Sequence, residues 1–399
     1  MTLEEFRNID KETLFGQIEK YKNHDPAKLA LELNKREGAS SRVISEQILC
    51  GRKALKKLPK ISESKLLYDN IALEQCSSEA AAIVKASLIN GRKIIDLTGG
   101  LGIDDIKFSK SFEKVIYCEQ NEVLAKMFEV NLKELEISNI TIKNVNSIEY
   151  LKTVENNTFD WIYLDPARRE GSKRSIDLDY CTPNIYENLD LFFRKSDNIM
   201  IKAAPAFDLT EAVKRFSNLT ELIIVSVDNE CKEVLLLLKK NKSKTNVTIK
   251  TILIDGKNFA KKTFQKKLND DIPKKYLPVQ KYFYEPDAGI IKSGLSSVAA
   301  KEFGLSFIND KCDFLTSEIL MPDFPGRVFE VKNVVPFKDK LIKKYLSGLD
   351  IKKANVAKRG FRLSVSDIRK RLKIKEGGDD YLFFTSDIAG NQILIHSVK

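Results

Sequence analysis

Residues 94–102 read Ile94-Ile95-Asp96-Leu97-Thr98-Gly99-Gly100-Leu101-Gly102, an apolar pair and an acid followed by a turn that holds three glycines. The run before Asp96 has the length and β-branched character of a buried strand, and the glycines end it. Two later apolar runs stop in the same way. Val115-Ile116-Tyr117-Cys118 stops at Glu119, and Trp161-Ile162-Tyr163-Leu164 stops at Asp165-Pro166. An acid after each of three strands, with glycines in the first turn, is the pattern of a crevice for a nucleotide-like cofactor. Glycines carry no Cβ and let backbone approach a ligand closely. A carboxylate at the tip of the second strand can accept both hydroxyls of a ribose. The third acid then borders the reacting group.

Two other readings of the turn compete. The dinucleotide fingerprint G-x-G-x-x-G is met at Gly100 and Gly102, but position 105 is Asp where the third glycine belongs. An acid there opposes a pyrophosphate, which disfavours NAD and FAD. The blander alternative is a glycine turn that only packs a strand on a helix. The stretch alone favours a ligand site weakly, and Glu119 and Asp165 at the neighbouring strand ends carry the rest.

Composition bounds the classes that remain. A chain of 399 residues exceeds what one core usually serves, so two to four domains are expected. No apolar run reaches the ~18 residues that span a bilayer. The start, Met1-Thr2-Leu3-Glu4-Glu5, has acids where a signal peptide needs cations, and predicts a cytoplasmic protein. Six scattered cysteines with no C-x-x-C pair argue against zinc and against a disulfide framework. His24 and His396 are the only histidines, too few for a metal cage or a Ser-His-Asp triad. The net charge of +11 is lopsided. Residues 256–399 hold 28 Lys and Arg against 17 Asp and Glu, which is the entire excess. A neutral half joined to a basic half points to a polyanionic partner for the latter.

Periodicity organises the chain. Residues 1–70 read as a helical region, with turn signals at Asp25-Pro26 and from Gly38 to Ser41. A basic cluster, Arg52 to Lys60, follows it; a solvated helix face explains that cluster as well as a substrate contact does. From 71 to 255 strands and helices alternate, with strand runs at 93–97, 114–118, 139–143, 159–164, 198–203, 221–227 and 247–254. That alternation predicts an α/β fold with a mostly parallel sheet, whose ligand site lies beyond the carboxyl ends of the strands. Residues 256–277 are Lys-rich and read as a connector or mobile loop. A small unit spans 278–325, with a strand at Tyr282-Phe283-Tyr284 and a helix from Ser296 to Phe303. The last unit, 326–399, is a compact α/β module ending in a hairpin that turns across Asp387 to Asn391.

At this point the residues resemble a known group. Leu73-Glu74-Gln75-Cys76-Ser77-Ser78-Glu79 precedes the glycine turn, and Tyr163-Leu-Asp-Pro-Ala-Arg-Arg169 and Ile201-Lys-Ala-Ala-Pro205 follow it. Phe324-Pro-Gly-Arg327, Ala357-Lys-Arg-Gly-Phe361 and Gly377-Gly-Asp-Asp-Tyr381 complete the pattern. Together they are similar to the class I S-adenosylmethionine-dependent methyltransferases of Bacteroidetes type, which carry a small ferredoxin-like insert and a C-terminal THUMP-like domain. The resemblance implies a seven-stranded, Rossmann-like class I methyltransferase sheet over 71–255, an N-terminal helical region and small C-terminal α+β modules. It implies a ferredoxin-like domain at 278–325 and a THUMP-like domain at 326–399. It also implies S-adenosylmethionine as cofactor. Asp96, Thr98, Gly99, Gly100, Gly102 and Asp104 would hold it on one side, with Glu119, Gln120, Asn146 and Ser147 on the other. Gln75, Ser77 and Glu79 lie upstream and Asp165 at the methyl end. THUMP domains proper serve RNA-modifying enzymes, so RNA, transfer or ribosomal, is the expected substrate by analogy.

Methyl transfer needs an acceptor atom held in line and a proton stabilised or removed. In amino-methylating relatives the fourth motif reads Asp/Asn-Pro-Pro-aromatic. Here it is Asp165-Pro166-Ala167-Arg168: the carboxylate remains, and an arginine stands where the stacking ring would be. A guanidinium can stack on a base or fork a phosphate. Asp165, Pro166 and Arg168 are therefore the candidate catalytic group, with an exocyclic or ring nitrogen as the favoured acceptor. Arg169, Lys202, Arg327, Lys358, Arg359 and Arg362 are the candidate RNA contacts. Cys181 is the cysteine in a plausible loop for carbon methylation. Lys85, Asp165, Lys202 and Glu230 fall where a Lys-Asp-Lys-Glu set for ribose 2′-O methylation would. A methyltransferase on protein or a small molecule, and a non-catalytic cofactor- or RNA-binding protein, are the alternatives.

Overall fold

The computed structural model describes residues 4–5, 10–25, 28–29, 39–168, 178–242 and 246–399. The chain divides into two compact units. The first comprises Met1–Val227, Lys232–Val247 and Ile254–Phe259; the second comprises Asp228–Cys231, Thr248–Leu253 and Ala260–Lys399. No described helix is long and apolar enough to cross a membrane.

The first unit begins with helices Lys11–Tyr21 and Ala39–Lys57. Their buried Leu14, Val43, Ile44 and Ile48 pack with Met127 and Val130 of the helix Glu122–Glu134. The sheet strands in chain order are β1 (Gly91–Asp96), β2 (Phe112–Cys118), β3 (Ile140–Lys143) and β4 (Trp161–Leu164). A two-residue pair, β5 (Ala167–Arg168) and β6 (Cys181–Thr182), stands apart from it, and then come β7 (Asn198–Ala203), β8 (Leu219–Val227) and β9 (Glu230–Lys239). Across the sheet these seven run β8-β9-β7-β4-β1-β2-β3. β2 pairs with β1 and β3, and β4 with β1 and β7, all parallel, while β9 runs antiparallel to β7.

This is the expected mostly parallel sheet, with a strand that the sequence reading did not foresee. The run at 247–254 is a strand, as expected, but a further strand stands beside β7. That strand is β9, whose Val234 to Leu238 are all buried. Asp228 and Asn229, at φ 50° and 66°, join it to β8 in a two-residue hairpin link, the conformation such links favour. A leucine run lacks the alternation that announces a strand, because the buried sheet centre is apolar on both faces. The two sides of the sheet meet where β1 lies between β2 and β4, and the chain leaves both β1 and β4 at the same edge. That is the switch point at which α/β sheets take ligands.

In the second unit, β10 (Thr248–Ile254, all but its last residue) and β11 (Lys261–Lys267) are neighbours. The Lys-rich segment read as a connector therefore contains a strand. A further sheet holds β12 (Tyr282–Pro286), β13 (Ser306–Phe307), β14 (Leu315–Ser317), β15 (Gly326–Pro336), β16 (Asn355–Lys358), β17 (Asp380–Ser386) and β18 (Gln392–Val398). Its order is β13-β14-β12-β15-β18-β17-β16. Phe283, Phe314, Phe329 and Phe383 fill its centre. The helices Asp339–Gly348 and Val365–Leu372 bury Ile342, Leu346, Ile368 and Leu372 in a second cluster.

Candidate cofactor and acceptor site

The crevice forms where β1, β2 and β4 end. Asp96, at the end of β1, is 2% exposed, and its Oδ1 accepts both the Thr98 N–H at 2.7 Å and the Thr98 hydroxyl at 3.0 Å. The same hydroxyl accepts the Asp165 N–H at 2.6 Å. One threonine therefore ties the loop after β1 to the loop after β4. Glu119, just past β2, accepts the Gly100 N–H at 2.9 Å and the Asn121 N–H at 2.7 Å. Asn121 in turn caps the helix Glu122–Glu134, and Asn146 caps the helix Ser147–Thr153. These caps satisfy orphan N–H groups and fix the two loops that border the crevice.

The glycines do more than admit a ligand. A Cβ on Gly99 would sit 2.1 Å from the Tyr117 ring, and one on Gly102 2.2 Å from the Phe128 ring. Only Gly100, at φ 56°, faces open space, with Thr98 O the nearest atom at 3.8 Å. Tyr117 further donates its hydroxyl to Gly100 O at 2.6 Å. The turn is thus held from beneath by two aromatic rings.

A cavity of about 460 Å³ opens at this edge, within the usual range for a small-molecule site. Its walls include Asp96, Thr98, Gly99, Gly100, Gly102 and Asp104. Gln75, Ser77, Glu119, Gln120, Asn146, Ser147 and Asp165 line it too, so that of the cofactor residues expected from the sequence only Glu79 is absent. Leu124, Val145 and Ile148 add an apolar face. The opposite wall, Thr182 to Asn184 with Glu187 and Asn188, was not foreseen, since nothing in its spacing marks it as facing strand ends. Among the described residues, no group of three or more His, Cys, Asp or Glu is placed to hold a metal ion.

Several expectations are corrected. Glu79 does not line the cavity. It is fully buried and accepts the Lys60 and Ile61 N–H groups and the Lys107 ammonium, so its work is to fix the preceding loop. Cys181 is buried in β6 and does not line the cavity. Glu230 is exposed, and Glu233, three residues on, takes the place foreseen for it. Lys202 does not reach outward to an RNA; its ammonium lies 2.6 Å from Asp165 Oδ2. Arg327 and Arg359 both pair with the buried Glu285. Lys358 and Arg362 are exposed. Pro166 is half-buried. Arg168 is described only in its backbone, and Arg169 lies outside the described residues.

Beneath the crevice runs a charged network. Lys85, fully buried, meets Glu233 at 2.9 Å, Asp104 at 3.0 Å and the Ser77 hydroxyl at 2.6 Å. Asp104 also accepts the Ser77 and Tyr163 hydroxyls. Burial alone would pull Lys85 down, but Asp104 and Glu233 outweigh it and hold the ammonium above the ordinary lysine range. Lys202 behaves likewise: burial opposes its charge, and Asp165 overcomes that. On the other side, burial pushes Asp96 up to about 7, and Asp105 behind it well above the carboxylate range, with Asp96 its next cause. Two enclosed carboxyls whose charges oppose each other resist ionising together. Cys76 borders the cavity with its thiol raised to about 11 by burial.

Comparison with known proteins agrees with this geometry. Residues 282–325 match the family described as a ferredoxin-like domain, and residues 326–397 the family described as THUMP domain-like. A crystal structure of a putative methyltransferase from Porphyromonas gingivalis W83 superposes with a TM-score of 0.81 at 26% identity, covering 98% of this chain and 99% of that one. An uncharacterised S-adenosylmethionine-dependent methyltransferase of Mycobacterium tuberculosis is 23% identical over 336 residues, 83% of this chain and 88% of that protein. The ribosomal RNA small subunit methyltransferase D of Buchnera aphidicola is 33% identical over 82 residues, 20% of this chain and 42% of that protein. Sheet order, crevice and neighbours together define the class I methyltransferase fold. In this chain that fold is followed by segments that match the ferredoxin-like and THUMP domain-like families.

Proposed function

We propose that this protein is an S-adenosylmethionine-dependent methyltransferase that modifies a base nitrogen in RNA. The observation that carries the reading is the convergence of Asp96, Glu119 and Asp165 on one cavity at the carboxyl ends of three adjacent strands. The residues fit the cofactor's chemistry. Glu119 is an acceptor suited to a ribose diol, and Leu124, Val145 and Ile148 give a flat ring an apolar face. Asp96 and Asp104 bring negative charge near the end that would hold a cationic tail. Gly100, with open space where a Cβ would stand, lets the chain come close to it.

When bound, the cofactor supplies a methyl group on a positively charged sulfur. The protein's share is to bring the acceptor into line and to manage its proton. Asp165 is the acidic group at the methyl end of the cavity. Its Oδ2 is taken by Lys202, and among the described residues no hydrogen bond reaches its Oδ1. That oxygen can accept an acceptor N–H, steer the nitrogen lone pair toward the methyl carbon, and take up the proton for release to water once the nitrogen has been methylated.

RNA is supported by the second unit. The helices Asp339–Gly348 and Val365–Leu372 bury one face and expose Lys340, Lys343, Lys344, Lys370 and Arg371 on the other. Lys358 and Arg362 are exposed in the same module, while Arg327 and Arg359, tied to Glu285, are better read as bracing it. The THUMP-like match and the relationship to a ribosomal RNA methyltransferase point the same way. Incubation with radiolabelled cofactor and total RNA, with and without ribonuclease, tests the reading. Label that appears in RNA and vanishes with ribonuclease supports it. Label in protein or small molecules, or RNA affinity that does not fall with added salt, overturns the RNA part. Asp165→Ala should abolish transfer and leave binding of the demethylated cofactor largely intact.

A further inference from the structure

Lys202 sits where a lysine has no need to be. β7 pairs in parallel with β4, with Leu164 opposite Ile201, so the next residue of each strand brings Lys202 beside Asp165. A lysine at the end of a strand can normally extend its stem and keep its head in water. This one instead turns inward. Its side chain is 16% exposed, that of Asp165 is 32% exposed, and the ammonium closes on Oδ2 at 2.6 Å.

The lysine is also held from behind. Glu233, on β9, favours its charge and Lys85 opposes it. Lys85 is pinned by Glu233, Asp104 and Ser77, and the last two line the cavity. Anchored charges therefore lie behind Lys202, while Thr98 fixes the Asp165 backbone. A phosphate-gripping lysine needs none of this, because a point charge on a flexible stem serves a phosphate well.

We infer, building on the methyltransferase reading above, that Lys202 is a positioning residue that acts through Asp165. It takes one carboxylate oxygen and leaves Oδ1 as a single, aimed acceptor for one N–H of the acceptor group. The same pairing narrows the substrate class. Asp165 and Lys202 together carry no net charge, so the site offers no counter-charge to an alkylammonium such as a protonated lysine side chain. It fits an uncharged N–H donor, as on the amino group or ring nitrogen of a nucleobase.

A double-mutant cycle separates this role from a direct RNA contact, because groups that act as one unit are not additive. The measurements are kcat and KM for RNA, RNA affinity against salt, and calorimetric affinity for S-adenosylhomocysteine. They are made on the wild type, Lys202→Met, Lys202→Arg, Asp165→Asn and the double variant Lys202→Met/Asp165→Asn. We expect Lys202→Met to lower kcat by about 100-fold with KM little changed, as for a misplaced reacting group. Lys202→Arg should recover most of that loss, since a cation still reaches Oδ2. In the Asp165→Asn background, Lys202→Met should cost less than about threefold more. Affinity for S-adenosylhomocysteine and the salt slope of RNA binding should be the same in all folded variants. Additive losses, together with a salt slope smaller by about one in Lys202→Met, would make Lys202 a phosphate contact and overturn the inference. If Lys202→Met does not fold, Lys202→Gln takes its place in the cycle. Absence of S-adenosylhomocysteine binding in the wild type would instead overturn the methyltransferase reading itself, before any variant is made.

Discussion

The Asp165 N–H reaches the Thr98 hydroxyl at 2.6 Å, and that hydroxyl gives its own proton to Asp96 Oδ1 at 3.0 Å. A single side chain therefore sets the distance between the acid that begins the cofactor turn and the acid proposed to face the acceptor. Thr98→Val keeps the shape and removes both bonds. Leaving a half-buried N–H and part of a buried carboxylate unpaired costs about 1–3 kcal/mol. Denaturant unfolding should report that loss, and single-turnover rates should fall by about tenfold or more as Asp165 drifts. Thr98→Ser keeps the hydroxyl and should stay near wild type. Equal behaviour of Val and Ser at this position would show that the link does not set the geometry.

The three glycines of the turn should respond differently to alanine. Gly99→Ala drives a methyl into the Tyr117 ring and Gly102→Ala into the Phe128 ring, the latter also at φ 71°. Both rings are enclosed, so neither can swing aside, and both variants should melt far below the wild type or fail to fold. Gly100→Ala meets open space and bears only the left-handed backbone cost, about 1–2 kcal/mol. It should fold and lose affinity for the cofactor, because the methyl enters the cavity. Thermal melts alongside calorimetry check the order; a Gly100 variant that is the least stable of the three contradicts it.

Asp96, Glu119 and Asp165 were legible because each ends an apolar run, and a parallel sheet sends all such ends to one edge. The reason for Gly99 and Gly102 was not, since Tyr117 and Phe128 lie on β2 and the following helix and meet the turn only in the fold. β9 stayed hidden because Leu235 to Leu238 show no alternation. With it went the position of the buried acid, placed at Glu230 and found at Glu233. Glu79 sits near Ser77 in sequence, yet as the first residue of the helix Glu79–Leu88 it reaches the Lys60 and Ile61 N–H groups and not the cavity. Lys202 reads as one more cation in a basic chain until the register of β4 and β7 places it against Asp165.

Lys85, fully buried, is the cation that pairs with both Glu233 and Asp104. Lys85→Met keeps most of the volume and strands the buried Glu233 carboxylate, with Asp104 beside it, and breaking such a pair costs about 3–5 kcal/mol. Lys85→Met/Glu233→Leu should recover part of that, because the stranded charge is removed as well. Chemical denaturation of the wild type, single and double variants measures the recovery. A double variant less stable than Lys85→Met alone would mean that Glu233 finds another partner once the lysine is gone.

Asp96 and Asp105 give the fold a pH dependence of recognisable sign. Both are buried, and burial raises Asp96 from 3.8 to about 7 and Asp105 well above its ordinary value. Below about pH 4 the folded and unfolded chains both carry these protons, and the pair costs nothing. As pH rises the unfolded chain releases them first, so the folded state binds more protons and stability falls up to and through pH 7. Each proton so retained steepens the fall by at most about 1.4 kcal/mol per pH unit. Asp105→Asn keeps the shape and removes the titration of that carboxyl. Its stability relative to the wild type should therefore climb steadily between pH 5 and pH 8 in denaturant unfolding. Parallel curves for the two proteins over that range would mean that burial does not raise Asp105.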